Sequence, residues 1–322
     1  MAGRFAVGGG GAARRLTRAL LAVLMVPVVV LAVSPSPAGA TDTYVVTTTG
    51  DGADTDIGDG DCIATTGGCT LRAAIQEAND DGDHDIIEFA LGGPAEIVAG
   101  FGLPAITESL TIDGSTNPGA NCDYLGGPAT PAVPTVAING SNLTIRDDAD
   151  GAVIRNLAIH SATNGIVLRG VEDVVVECSW IGFRLDRTVG SGQTGTGIGV
   201  QLAGAPNARI GGNTGDPGNV IGGYDDFGIE VSGAIVFNNR IGVSPNGGPA
   251  GNGVGVSRSG QLRSNTIANS IGIGVEEPSG EVINNLIRDN GGAGVFAPFI
   301  LAPPPNNGQV VTFDPVLIRG GR

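Results

Sequence analysis

Acidic residues with the composition of a cation-binding loop lie near the start of the chain. The stretch DGADTDIGDGDC, residues 51–62, contains four closely spaced aspartates besides Asp51, namely Asp54, Asp56, Asp59 and Asp61. Calcium is bound by several carboxylates from one flexible loop, and clustered acids repel one another unless a cation neutralises them. Gly58 at the third ligand position excludes an EF-hand. We therefore name calcium as the candidate cofactor, with a solvated acidic loop as the alternative.

A second group of residues has the types found in carbohydrate-active sites. It contains Asp225 and Asp226, with Glu230 and Arg240 nearby in the sequence. Carboxylate pairs hydrolyse glycosidic bonds, and an arginine can act as a base in elimination. Adjacent aspartates point to opposite sides of an extended strand, so these two need a turn to converge. The four residues form a candidate catalytic set, although polar turn residues are the favoured interpretation.

The single tryptophan is a candidate for stacking on a sugar ring. Trp180 precedes Ile181, so an inward Ile181 would place the Trp180 ring on the outer side of a strand. An outward indole can stack on a glycan, or it can pack beneath a loop. The sequence leaves both alternatives open.

The N-terminal segment has the pattern of an export signal. Four arginines precede the apolar run ALLAVLMVPVVVLAV, and the sequence AGA ends at Ala40. This arrangement predicts cleavage after Ala40 and no membrane span in the mature chain. All four cysteines follow that point, and an even number of cysteines in an oxidising compartment predicts two disulfides. Cys62 and Cys69 close a short local loop, which leaves Cys122 and Cys178 to pair with each other.

Charge and composition restrict the class of protein further. Of the 17 basic residues, all arginines, four lie in residues 1–40, so 13 remain against 32 acidic residues, a net charge of −19. No basic stripe is present to neutralise phosphates, so we expect no nucleic-acid partner. The 56 glycines lie between short runs of Val and Ile, which indicates many tight turns between short strands.

Two short patterns alternate along the chain. The first, a polar residue, a spacer and Ile, recurs at positions 159, 181, 221, 241, 267 and 287. The second, Gly followed by an apolar residue, any residue and then Val or Leu, recurs at 165, 197, 228, 253, 272 and 292. A period of roughly 20 residues leaves no room for a crossover helix and predicts a solenoid of parallel strands. We interpret the step from Ile181 to Ile221, which is twice as long, as two units. The asparagines at 219, 239, 265 and 285 share one phase and are expected to form a ladder at a coil corner.

One amphipathic helix is predicted before the repeats. In CTLRAAIQEAND, residues 69–80, the apolar positions Leu71, Ala74, Ile75 and Ala78 lie on one helical face, and Thr70 can cap the helix. The first coil of a solenoid exposes an apolar cross-section and unpaired strand edges that something must cover. We therefore expect this helix to cover the first coil. A second acidic run, residues 80–85, follows it.

The same segment resembles the CSLREA motif of exported, pectin-lyase-like β-helix proteins. Here the motif reads Cys69-Thr70-Leu71-Arg72-Ala73-Ala74, with Thr for Ser and Ala for Glu. The stretches LPAITESLTIDGSTNPG and GNVIGG are also similar to this family. The resemblance implies a right-handed parallel β-helix, and it implies no particular activity.

Together these observations predict a secreted all-β protein. We expect a signal peptide at 1–40, a cap containing the helix at 41–92, β-helix coils at 93–296, and a Pro-rich tail at 297–322. The expected function is a monomeric, non-catalytic scaffold that binds a polysaccharide or cell-surface glycan. A polysaccharide lyase or glycoside hydrolase and a calcium-dependent surface adhesin are the alternatives.

Overall fold

The computed structural model describes residues 41–122, 132–200, 204–212 and 217–296. In these ranges the chain consists mostly of short strands, which form three sheets of nine, eight and seven strands. The helical elements there are one α-helix, α1 (Leu71–Ala78), and one 3-10 turn, η1 (Gly114–Thr116).

In each sheet the strands stack in the order in which they occur along the chain. The first sheet contains β1 (Thr43–Val46), β2 (Asp85–Phe89), β4 (Leu110–Asp113), β7 (Val153–Arg155), β10 (Val175–Glu177), β13 (Arg209–Ile210), β16 (Ile235–Phe237), β19 (Gln261–Arg263) and β22 (Val282–Ile283). The second contains β3 (Ala95–Val98), β5 (Val136–Asn139), β8 (Leu157–His160), β11 (Trp180–Ile181), β14 (Val220–Ile221), β17 (Arg240–Ile241), β20 (Thr266–Ala268) and β23 (Leu286–Arg288). The third contains β6 (Leu143–Arg146), β9 (Ile166–Arg169), β12 (Ile198–Val200), β15 (Phe227–Glu230), β18 (Val254–Ser257), β21 (Val275–Glu276) and β24 (Val295–Phe296).

The strand connections make this part of the chain a parallel β-helix. From β4 onward the chain contributes one strand to each sheet in turn and then returns to the first sheet. Neighbouring strands in all three sheets run parallel, for example β7 beside β10 and β8 beside β11. This is the all-β solenoid that the sequence repeats predict.

The interior is built from columns of aliphatic side chains, one side chain per coil. The Ile pattern lies in the second sheet, where successive rungs pair Ile138, Ile159, Ile181, Ile221, Ile241, Ile267 and Ile287. The Gly pattern precedes the strands of the third sheet, where Ile166, Ile198, Ile229, Val256, Val275 and Val295 form a second column. Burial of these columns supplies the main favourable free energy of folding.

One part of the repeat prediction is wrong. Ile181 and Ile221 lie on adjacent rungs, so the segment between them forms one long coil and not two. Ile210 belongs to β13 in the first sheet of that same coil. Part of the extra length is a loop closed by an antiparallel bridge between Phe183 and Val189.

Helix α1 has the position and orientation that the sequence predicts. The side chain of Thr70 accepts a hydrogen bond from the Ala73 amide at 3.1 Å, which caps the helix. The predicted apolar face, formed by Leu71, Ala74, Ile75 and Ala78, is fully buried in the main core together with residues of β1 and β2. Arg72, on the other side of the helix, makes a bidentate interaction with the Asp51 carboxylate, donating from Nε at 3.0 Å and from Nη2 at 3.1 Å. The helix therefore covers the first coil as expected.

Both predicted disulfides are present, Cys62–Cys69 and Cys122–Cys178. Within the described ranges, no helix combines the length and hydropathy needed to cross a bilayer. The predicted signal peptide and Pro-rich tail lie outside the described residues. Strands β1 and β2, which belong to the segment assigned to the cap, form the first two rungs of the first sheet.

Candidate functional site

The outer face of the first sheet presents two aligned columns of side chains, which we call the outer strip. Residues alternate between core and surface along each strand, and the parallel register repeats that alternation on every rung. One column contains Thr111, Val153, Val175, Arg209, Ile235 and Gln261. The other contains Asp113, Arg155 and Glu177 on three consecutive rungs and, beyond the β13 rung, Phe237, Arg263 and Ile283. All of these side chains except Glu177 are partly exposed. With strands spaced about 4.8 Å apart, the nine-stranded sheet extends about 38 Å.

A network of ion pairs lies within the outer strip. Glu177 is 8% exposed, and its carboxylate lies 2.9 Å from Nη2 of Arg209 and 3.6 Å from Nε of Arg155. Arg155 also approaches Asp113 at 4.0 Å. The carboxylates fix the directions of both guanidinium groups, whose side chains remain 36% and 28% exposed. The strip therefore combines oriented hydrogen-bond donors with partly exposed aliphatic surface.

The four candidate catalytic residues do not form one site. Asp225 and Asp226 are exposed on the turn between β14 and β15. Glu230 ends β15 in the third sheet and pairs with Arg258 at 3.2 Å. Arg240 begins β17 in the second sheet and donates from Nη2 to the Ser244 carbonyl at 3.2 Å. Among the described residues, no hydrogen bond or ion pair joins Asp225, Asp226, Glu230 and Arg240 to one another.

The aspartates of the predicted calcium loop bind their own backbone. The Asp54 carboxylate accepts bonds from the amides of Asp56 and Ile63, each at 2.9 Å, and the Asp59 carboxylate accepts from the Asp61 amide at 2.9 Å. These bonds form turns, and the side chains of Asp54, Asp56, Asp59 and Asp61 do not come together as a ligand set. The residue types of the loop therefore indicated a metal site, whereas the geometry indicates a hydrogen-bonded loop.

A different set of three acids does converge. One carboxylate oxygen each from Asp42, Asp81 and Asp85 lies within 4.8 Å of the other two, and this is the one such group among the described residues. Burial, together with the charges of the neighbouring aspartates, raises the pKa of Asp85 to about 6. Asp81 and Asp85 belong to the acidic run at residues 80–85 that the sequence shows after the helix. The contribution of Asp42 could not be seen without the strand register.

Trp180 is not available for stacking on a glycan. Its ring points out of the coil, as the alternation predicts, and packs with Phe183 and Val220 in a cluster separate from the main core. It is nevertheless only 1% exposed, and its Nε1 donates to the Ala132 carbonyl at 2.8 Å. The Arg187 guanidinium carbon lies 6.0 Å from the ring centroid. The loop that follows β11 covers the indole, so packing beneath a loop is the correct alternative.

A carboxylate, an imidazole and a hydroxyl form a relay on the second sheet. Oε2 of Glu96 lies 3.2 Å from Nε2 of His160, and Nδ1 of His160 lies 2.9 Å from Oγ of Ser161. His160 is fully buried, and burial is the main cause that lowers its pKa, which favours the neutral imidazole. No sequence signal pointed to this group, because residues 96 and 160 meet only through the register of β3, β5 and β8.

The left-handed backbone conformation of Ser161 has a structural explanation. Its φ of 56° lies in the left-handed region, a conformation that often marks a strained nucleophile. Gly140, Asn269 and Asp289 have positive φ at the equivalent corner, two residues past the Ile column. The conformation of Ser161 is therefore a repeated feature of this coil corner.

No protein-family model matches the chain, and no curated protein matches it.

Proposed function

We propose that the protein is a secreted β-helix that binds an extended glycan along the outer strip without transforming it. The observation that carries the proposal is the alignment of the two columns over successive rungs of one sheet. A polymer lying along the solenoid axis would meet a similar surface about every 4.8 Å, which suits a chain of repeated sugar units.

The chemistry of the strip suits a neutral sugar polymer. Guanidinium groups held by Glu177 can donate to sugar hydroxyls, and Val153, Val175 and Ile235 can contact the apolar faces of the rings. The chain has a formal net charge of −15, so its overall field repels polyanions. A neutral extracellular or cell-surface glycan is therefore the favoured ligand.

Three observations support action outside the cell. Residues 1–40 have the pattern of an export signal. Both pairs of cysteines form disulfides, which persist in oxidising compartments. The segment around Cys69 resembles the CSLREA motif of exported β-helix proteins.

The proposal is tested by titrating the protein with neutral and acidic polysaccharides, in calcium and in chelator. We expect binding to a neutral polymer, weakened at least about tenfold in the double variant Arg155→Ala/Arg209→Ala. The matched control is Arg146→Ala/Arg258→Ala, which removes two arginines in or beside the third sheet. An equal loss of affinity in both double variants would place the ligand elsewhere. No binding across a broad panel would contradict the proposal.

The Glu96–His160–Ser161 relay favours a hydrolase as the second candidate. A neutral imidazole beside a hydroxyl can accept its proton during attack on an ester. Ser161 Oγ would bond to the acyl carbon, its proton would pass to His160, and the alcohol would leave with that proton. Water would then release the acid. An acylated glycan is the substrate class that fits both this relay and the glycan proposal.

This second candidate has a separate test. Release of acid and of new reducing ends from acylated and plain polysaccharides is measured for the wild type, Ser161→Ala and Ser191→Ala. Activity lost in Ser161→Ala and kept in Ser191→Ala, whose side chain is exposed nearby, would establish a hydrolase. Activity that survives in Ser161→Ala would exclude this relay as its source.

A further inference from the structure

One register column of the first sheet begins with aspartates where later coils have buried apolar residues. Asp85 is the first residue of β2, points into the core and pairs with Leu110 of β4. Thr43 pairs with Ile86, which places Asp42 opposite Asp85 on the first rung. The coils that follow continue this position with Ala152 and Val174, both fully buried. Within this stretch of the column, only the first two rungs are therefore acidic.

A third carboxylate comes from the loop after α1. Asp81 lies four residues before Asp85, and its Oδ1 accepts the Asp83 amide at 3.1 Å. Its carboxylate approaches those of Asp42 and Asp85, so the three acids come from the chain before β1, from the α1–β2 loop and from β2 itself. Asp42 and Asp81 are exposed, which leaves the group open to solvent on one side.

Only one of the two carboxylate oxygens of Asp85, the buried member of the group, has a hydrogen-bond partner. Asp85 is 0% exposed, and its Oδ1 accepts the Asp42 amide at 2.8 Å. Its Oδ2 is also buried and has no hydrogen-bond partner. Among the described residues, none of the ion pairs involves Asp42, Asp81 or Asp85. An unpaired buried carboxylate beside two others is strongly unfavourable in its ionised form unless a cation compensates it.

We propose that Asp42, Asp81 and Asp85 form a binding site for a divalent metal ion, with calcium the preferred ion. All three ligands are carboxylates, which select hard cations over zinc or copper. Calcium accepts irregular sets of six to eight oxygens and keeps water among them, as an open site on exposed loops requires. The ion would join the start of β1 to β2 and to the loop after α1. It would thereby hold the first rung and the covering helix together.

The positive charge that compensates the three carboxylates can also come from the chain itself. Cleavage after Ala40 would create an α-ammonium on Thr41, the residue before Asp42. That group would be a monovalent occupant of the same cluster. If the ammonium occupied the cluster, added Ca²⁺ would not bind there or raise the Tm, so a calcium titration separates the two sources.

The experiment starts from the full chain, expressed so that it is exported and then treated with chelator. Calorimetric titration with Ca²⁺ is combined with thermal unfolding in Ca²⁺ and in chelator. We expect one site with a Kd on the order of 0.1–1 mM, the range of extracellular calcium modules, and a Tm higher by several degrees in calcium. Asp81→Asn, an exposed substitution, should weaken binding at least about tenfold. The charge-matched control Asp61→Asn, in the other acidic loop, should leave the affinity unchanged.

A spectroscopic measurement locates the ion independently of these variants. Tyr44 lies on β1 two residues after Asp42, and its hydroxyl is near enough to this group that burial, and after it the charges of Asp85, Asp42 and Asp81, raise its pKa. Bound Tb³⁺ should therefore emit when tyrosine is excited, and Ca²⁺ should displace it. Tyr44→Phe should remove that emission while calcium still raises the Tm.

Three results would overturn the proposal. The first is no calcium binding by the wild type, and the second is equal weakening in Asp81→Asn and Asp61→Asn. The third is binding that appears only after the amino group of Thr41 has been acetylated, because the ammonium would then be the occupant.

Discussion

The side-chain oxygen of Asn239 accepts two hydrogen bonds from Asn219 on the neighbouring coil. One comes from the backbone amide and one from the side-chain amide, each at 3.0 Å. Asn265 binds Asn239 in the same way at 2.8 and 3.0 Å, and Asn285 binds Asn265 at 2.9 Å for both bonds. The asparagines that share one phase in the sequence therefore form the ladder expected at a coil corner.

Replacing an inner rung of this ladder should be strongly destabilising. Asn239 is 1% exposed, and Asn239→Ala removes the acceptor of the Asn219 backbone amide and a donor to the Ile210 carbonyl. We expect a loss of about 3 kcal/mol in the free energy of unfolding, measured by urea denaturation. Asn285→Ala, at the half-buried last described rung, should cost only about 1 kcal/mol. Equal losses in the two variants would contradict a cooperative ladder.

The ladder and the Ile column could be predicted because they depend only on period and phase. The length of each coil could not, because a count of residues does not distinguish a second coil from a long loop. Ile181 and Ile221 show this directly, since the segment between them makes one circuit that includes the loop closed by Phe183 and Val189.

The two disulfides should stabilise the protein unequally. In the chain-entropy account, stabilisation grows with the logarithm of the loop that the disulfide closes. Cys122–Cys178 spans 56 residues and Cys62–Cys69 spans 7. Removing the first pair by double Cys→Ala substitution should cost about 4 kcal/mol, and removing the second about 2 kcal/mol, in urea unfolding. A larger loss from the short loop would show that Cys62–Cys69 acts mainly by holding the segment before α1 in place.

The cap of α1 should depend on one hydroxyl. Thr70 is fully buried, accepts from the Ala73 amide and donates to the Gly52 carbonyl at 2.7 Å. Thr70→Val keeps the shape of the side chain and leaves both backbone groups unpaired, so we expect a loss of about 2 kcal/mol in thermal unfolding. The exposed Thr55→Val serves as the control. No difference between the two variants would show that the cap does not stabilise the helix.

The candidate sites were harder to predict than the fold, for one physical reason. Acid-rich loops have the same composition whether their carboxylates bind a cation or their own backbone, and Asp54 does the latter. The group of Asp42, Asp81 and Asp85 and the pair of Glu96 and His160 depend on strand register, which joins residues far apart in the sequence. Trp180 shows a further limit, because alternation gives the direction of a side chain and not what covers it.

His160 should make stability depend on pH. Burial is the main cause that lowers its pKa, Arg184 lowers it further, and Glu96 and Asp186 oppose that shift. The unfolded chain therefore binds a proton more readily than the folded chain, so stability is retained above about pH 6.5 and is lost as the pH falls through the folded pKa. Between about pH 7.5 and pH 5 this effect lowers the Tm, whereas Asp85, whose pKa is raised to about 6, takes up a proton in the folded chain and raises the Tm. His160→Gln should therefore lose less Tm than the wild type over this range, or gain more, while His84→Gln, an exposed control, should behave as the wild type. An unchanged pH dependence in His160→Gln would assign the proton uptake to other groups and would leave the relay without a titrating imidazole.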